Sequence, residues 1–168
     1  FCPAVVRLIQ VKFPSLIDNV IHLRPSLDIS AMYCRESLID QGVEDSEIGI
    51  FYITPCAAKI AAIKSPAEGE NSNINGVINM DMIYNLIYKN IRKNSKDDTV
   101  VEHGVLEPHA IKWSLTRGEA DCMPGRSLAI DEIHNVIEFL EKVENGDFDD
   151  IDFLELRACD ESCAGGVL

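Results

Sequence analysis

Apolar and polar positions alternate along the chain in blocks that read as helices and strands in turn. "AVVRLIQVKF" spaces its apolar residues for one buried helical face, and Pro3 suits the first turn of that helix. "NVIHL" (Asn19 to Leu23) predicts a short strand. "SLDISAMYCRESLIDQG" predicts a helix closed by Gly42. "EIGIFYIT" is a β-branched and aromatic run of strand length stopped by Pro55, and "CAAKIAAIK" after it predicts one or two helical turns. Beyond the polar loop "GENSNING", "GVIN" predicts a strand, and Asp81 is placed to cap the helix "MIYNLIYKNIRK". Asn94 to Asp98 read as a polar connection, and Thr99 to Gly125 as mainly irregular. "SLAIDEIHNVIEFLEKVENG" carries the clearest helical stripe, with Gly146 as terminator, and "DIDFLELRA" predicts the last strand.

Strands alternating with helices imply an α/β fold with a largely parallel sheet flanked by helices. No repeat, low-complexity tract or linker divides residues 1–168, so the expectation is a single α/β domain. The chain does not begin with Met and its first residues lack a signal-peptide layout, so it reads as a piece of a longer protein.

Composition narrows the function classes. A net charge of −13 leaves no basic surplus to neutralise phosphates, which argues against nucleic-acid and anionic-membrane partners. No apolar run approaches the roughly eighteen residues a membrane helix needs. Six cysteines are too few for a disulfide scaffold in a chain of 168 residues. The resulting expectation is a cytoplasmic protein with some cysteines as ligands and others in the core. No Gly-rich phosphate loop or nucleophile elbow is present.

Cys56 follows a predicted strand by one proline, and Cys159 directly follows "FLELRA". In open α/β sheets, ligands gather beyond the carboxyl ends of strands. Each of these cysteines, like Cys2, precedes an expected helix start, where free N–H groups favour an anionic ligand. Cys163 adds a fourth thiol one helical turn beyond Cys159. Four thiolates match the needs of a [4Fe–4S] cluster, but also those of a structural zinc, and free cysteines are commonly small core residues. A redox dithiol fits less well, because the local arrangement is not C-x-x-C. From the thiols alone these readings stay open.

The flanking residues add more. "CPAVVRLIQVKFPSL", "ITPCAAKI" and "LRACDESCAGG" occur in the order of the three cluster-binding motifs of iron-only ([FeFe]) hydrogenases. The chain resembles the C-terminal catalytic region of their large subunit, and in particular hydrogenase-like proteins of anaerobic bacteria that accompany sensory or signalling modules. "GVINMDMIYNLI" occupies the place of a family strand-then-helix segment. "SLAIDEIHNVIEFLEKVENGDFDDIDFLE" is similar to the lead-in to the third motif.

The resemblance implies an iron–sulfur site, with reversible H2 oxidation and proton reduction as the family chemistry. Cys2, Cys56, Cys159 and Cys163 match the ligands of a [4Fe–4S] cluster, with Cys163 in the place of the cysteine bridging to a di-iron subcluster. Lys59 stands where the family has a lysine that holds a cyanide of that subcluster, and Thr54 and Ala57 are expected beside it. The implied partners are a ferredoxin-like electron donor or an attached sensor or signalling domain. A fragment made without cluster maturation is expected as a zinc-bound or metal-free scaffold.

Three departures stand against full activity. Phe1 occupies the place of the cysteine that passes protons in active hydrogenases, and it cannot carry one. Thr54 replaces a family methionine. The family's "CPGGC" is "CDESC" here, so Asp160, Glu161 and Ser162 replace a proline and two glycines. Carboxylates at Asp160 and Glu161 lower a cluster's potential if they point inward, and otherwise face solvent.

Other residues carry plainer expectations. Cys34 reads as a packed thiol, Cys122 as an exposed loop residue, and His134 as a hydrogen-bonded structural residue. His103 and His109 sit six apart without a carboxylate partner in view. Trp113 and Arg117 line a pocket or close the core. "DFDDIDFLE" is acidic but lacks calcium-loop spacing.

Overall fold

The computed structural model describes residues 2–65, 72–93, 107–148 and 150–166. The Asn94–Asp98 connection, the first part of the Thr99–Gly125 segment with His103, and part of the "GENSNING" loop lie outside them. The fold is mixed α/β with small parallel sheets, as the strand–helix alternation predicts. Contacts divide the chain into two compact units: His22–Asp97, with the two terminal residues, and Cys2–Ile21 together with Asp98–Val167.

After helix α1 (Pro3–Lys12), which belongs to the second unit, the first unit begins with α2 (Ser26–Asp40), which ends at Gly42 with φ +88°, a conformation that favours glycine. Strand β1 (Phe51–Thr54) pairs in parallel with β2 (Gly76–Asn79), and α3 (Ala57–Lys64) is the crossover between them. A parallel pair needs such a crossover, because no tight hairpin can join its strands. The side chain of Asn75 frames the entry to this ladder. Its Oδ1 accepts from the N–H of Ile50 at 2.8 Å and from Arg35 of α2 at 3.0 Å, while its own N–H donates to the Ile50 carbonyl at 2.8 Å. Helix α4 (Met80–Lys93) follows β2 at once. Asp81 lies inside its first turn and does not cap it; Asn79 Oδ1 instead accepts from the Asp81 N–H at 2.9 Å.

The second unit holds a cluster of buried apolar side chains. Helix α1 (Pro3–Lys12), begun by Pro3 as expected, buries Val5 and Ile9, and Phe13 follows them inward. They pack with Val136 and Leu140 of α6 (Ile133–Glu144), and Ile130, Leu156, Ala158 and Cys2 border the same cluster. Lys12 reaches Glu141 of α6 at 2.9 Å, and Ser15 hydrogen-bonds Glu144. β3 (Ser127–Ile130) pairs in parallel with β4 (Phe153–Leu156), with α6 between them in sequence. The 107–125 segment contains one short helix, α5 (Pro108–Lys112), and a 3₁₀ turn at Ala120–Cys122.

Two element assignments made from the sequence are corrected. Asn19 to Leu23 form no strand: a 3₁₀ segment covers Pro14–Asn19, and among the described residues no ladder pairs with those after it. An isolated strand leaves its backbone N–H and C=O groups unpaired, so apolar character alone does not make one. The helix expected from Ser127 begins only at Ile133, because Ser127–Ile130 are drawn into the β4 ladder. Glu132, at φ +64°, makes the break between strand and helix.

Candidate metal centre

The first unit carries Cys56 two residues beyond the carboxyl end of β1, at the N-cap of α3. Its Sγ accepts the N–H of Lys59 at 3.5 Å, which satisfies one of the free donors of the helix start. The Cys56 N–H donates to Thr54 Oγ1 at 3.2 Å, and Thr54 is buried. Lys59 is also buried, at 6% exposure. Ala57 opens α3 and is exposed.

The second unit carries the other three thiols. Cys2 is the N-cap residue of α1, half-buried, and its carbonyl accepts from the Val6 N–H at 3.1 Å. Cys159 follows β4, and its carbonyl accepts from the Glu132 N–H at 3.1 Å, tying the loop after β4 to the end of the β3 connection. Cys163 lies in a four-residue 3₁₀ segment, Ser162–Gly165, where the sequence had suggested a helix start after Cys159. Its Sγ accepts from Arg157 Nη1 at 3.4 Å. All four cysteines are free thiols.

The turn between Cys159 and Cys163 is unusual. Glu161 (φ +52°) and Ser162 (φ +60°) both adopt positive φ, which side chains other than glycine's tolerate poorly. These are the two places of the glycine pair in "CPGGC". Asp160 and Glu161 are exposed, so their carboxylates face solvent, whereas Ser162 is fully buried with its Oγ 3.0 Å from Thr116 Oγ1. The Ala164 N–H reaches the Ser114 carbonyl at 3.1 Å, which pins the far side of the turn.

Sequence reasoning missed Arg157 and Glu155. Both are buried, two residues apart and therefore on one face of the β4 strand path. Arg157 pairs with Glu119 at 3.0 Å and Glu155 at 3.4 Å, and its guanidinium lies 5.8 Å from the centre of the half-buried Trp113 ring. Burial pulls its pKa down, but the facing charges of Glu119, Cys163 and Glu155 outweigh that and hold it above the ordinary value. The signal available was an Arg and a Glu at strand spacing inside an apolar run.

The remaining polar candidates disperse. Cys34 is exposed rather than packed, because it lies on the solvent side of α2. His134 is exposed on α6 and His109 on α5. Cys122 is exposed as expected, and Arg117 is exposed and paired with Asp121 at 2.8 Å. Asp150 and Asp152 pair with Arg126 rather than forming a cation loop. Among the described residues, no three His, Cys, Asp or Glu side chains form a group that could hold a metal ion.

Soft thiols suit iron–sulfur ligation, and two of them already accept hydrogen bonds of the kind that stabilise a ligating sulfur.

A family model described as the iron only hydrogenase large subunit, C-terminal domain, matches residues 1–104. The chain belongs to this family. The iron-only hydrogenase fold is also met in solved structures. A structure on stepwise [FeFe]-hydrogenase H-cluster assembly, HydA(deltaEFG), is 13% identical with a TM-score of 0.67, covering 98% of this chain and 59% of that one. A variant of [FeFe]-hydrogenase HydA1 from Chlamydomonas reinhardtii is 14% identical with a TM-score of 0.68, again covering 98% and 59%. An apo variant of the same HydA1 is 15% identical, with the same TM-score of 0.68 and the same coverage of 98% and 59%. This hydrogenase-family chain thus spans about 59% of the length of those relatives, and at such identities the likeness is one of fold. No curated protein matches it. Among the described residues of this family member, no helix is long and apolar enough to cross a membrane.

Proposed function

We propose that the chain is an iron–sulfur binding domain of the hydrogenase type, with Cys2, Cys56, Cys159 and Cys163 as ligands of a [4Fe–4S] cluster. The observation that carries this reading is the setting of Cys56 and Cys163, whose sulfurs accept N–H donors from a helix start and from a buried guanidinium. A bound cluster supplies one-electron redox chemistry; with a di-iron unit attached it supplies the family's interconversion of H2 with protons and electrons. Buried Lys59 is the residue to donate to an anionic ligand of that unit, with Thr54 and Ala57 beside it. Anaerobic reconstitution with iron and sulfide, followed by metal analysis and EPR, tests the ligand set. The parent is expected to take up iron and Cys56→Ala to lose most of it; no uptake, or equal uptake by the variant, refutes the proposal.

A second reading is a redox or H2-sensing module that does not turn over, coupled to a signalling domain or served by a ferredoxin-like donor. Phe1, in the place of the proton-passing cysteine, favours it. Infrared bands of bound CO and CN⁻ after maturation distinguish a full hydrogenase cofactor from a lone cluster. Phe1→Cys is expected to raise H2 activity in the loaded protein; an unchanged rate argues that proton delivery is not what limits it.

A further inference from the structure

Arg157 is an expensive residue for its position. It is 1% exposed, next to the end of a strand where an apolar side chain would pack at no electrostatic cost. Its donors are divided with care. Nε faces Glu155 Oε1 at 3.4 Å; Nη2 serves Glu119 Oε2 at 3.0 Å and the Trp113 carbonyl at 3.4 Å; Nη1 alone turns to Cys163 Sγ, at 3.4 Å. Glu155 is itself held, because its other oxygen accepts the N–H groups of Glu119 at 3.0 Å and Ala120 at 2.8 Å. The carboxylates therefore stand behind the guanidinium and aim it, and the backbone of the Ala120–Cys122 turn fixes one of them. A simple buried ion pair needs one carboxylate and no sulfur. This arrangement has two carboxylates, and leaves one fork of the arginine for a thiol.

We propose that Arg157 is a positioning residue for the Cys163 sulfur, holding it for iron by a charge-assisted hydrogen bond and raising the reduction potential of the cluster bound there. This rests on the ligand reading given above. A positive donor at a ligating sulfur stabilises the added electron, and removing it leaves Glu119 and Glu155 facing the site uncompensated. No bond to Arg157 forms or breaks: one electron from a reductant enters the cluster and the guanidinium stays in place.

The test uses the full chain, reconstituted anaerobically with iron and sulfide and titrated with dithionite as the electron donor under EPR. Arg157→Met is expected to shift the midpoint potential downward and to lose an exchangeable-proton coupling seen in the parent by pulsed ENDOR in H2O against D2O. Arg157→Lys is expected to recover part of the shift, since it keeps the charge but not the fork. Glu119→Gln keeps the arginine and removes a negative charge, so it is expected to retain the coupling and move the potential upward. An unchanged potential in a folded Arg157→Met overturns the proposal. If that variant does not fold, the absence of the coupling in the parent, or a downward shift in Glu119→Gln, overturns it instead. A parent that binds no iron overturns the ligand reading and this proposal together, whereas normal iron uptake with an unmoved potential overturns this proposal alone.

Discussion

Replacing Glu161 by glycine is expected to stabilise the protein, against the usual direction of mutation to glycine. Glu161 sits at φ +52°, ψ +31°, in the left-handed region, and its side chain is exposed. Holding an L-residue there costs roughly 1–2 kcal/mol relative to its right-handed conformation. Glycine removes that cost but makes the unfolded chain freer, which gives back about 0.4–1 kcal/mol. The net expectation is a gain of about 0.5–1 kcal/mol, or a Tm higher by about 1–4 °C for a chain of this size. Ser162→Gly is the control. It relieves a similar backbone conformation at φ +60°, but it deletes a buried hydroxyl 3.0 Å from that of Thr116. Losing that bond costs about 1 kcal/mol, so little net change is expected. Calorimetric melts of the reduced, metal-free protein measure both. A lower Tm for Glu161→Gly, or a rise no larger than that of Ser162→Gly, would refute the claim that backbone strain is stored in this turn.

Two further outcomes follow from the core and from the acidic edge. Val136→Ala removes a fully buried side chain at the centre of the α1–α6 packing and is expected to cost about 2 kcal/mol, read from urea denaturation. Asp152 accepts the Arg126 N–H at 2.8 Å, and this bond, ahead of the Arg126 charge, holds its pKa below the ordinary 3.8. A depressed carboxylate contributes stability above its unfolded pKa and loses it as pH falls through the folded one. The parent's advantage over Asp152→Asn is therefore expected at neutral pH, should begin to shrink below about pH 4 and should be gone once the pH has passed below the depressed folded value, followed by circular dichroism; a constant gap down to the lowest pH refutes it.

Much of the architecture was legible because the periodic signals were backed by punctuation. Pro3 opened α1, Gly42 (φ +88°) and Gly146 (φ +82°) closed helices, and Pro55 ended β1. β3 was hidden for the opposite reason. "SLAI" runs into the helical stripe with no Gly or Pro between them, and the break is made by Glu132 at positive φ, which composition does not announce. Cys56 and Cys159 were legible as residues beyond strand ends, and the motif order supplied the other two proposed ligands, Cys2 and Cys163. Arg157 was missed because attention to thiols and exposed carboxylates passes over a cation in a strand, whose partners Glu119 and Trp113 arrive from about 40 residues away in the chain.

Asn75 sets a scale for the Cys56 junction. Two parallel strands share no turn that counts residues between them, so their alignment has to be gauged by something else. Here one amide, bonded to the Ile50 N–H and steadied by Arg35, acts as the index mark. A slip of one residue would displace β1 by about 3.3 Å along its axis and turn Thr54 from its buried side to the other face. It would carry the thiol two residues further on by the same distance, more than the whole length of an iron–sulfur bond (about 2.3 Å for a comparable metal–thiolate bond). An amide with no chemistry of its own thereby gauges how far along the strand the Cys56 thiol is carried.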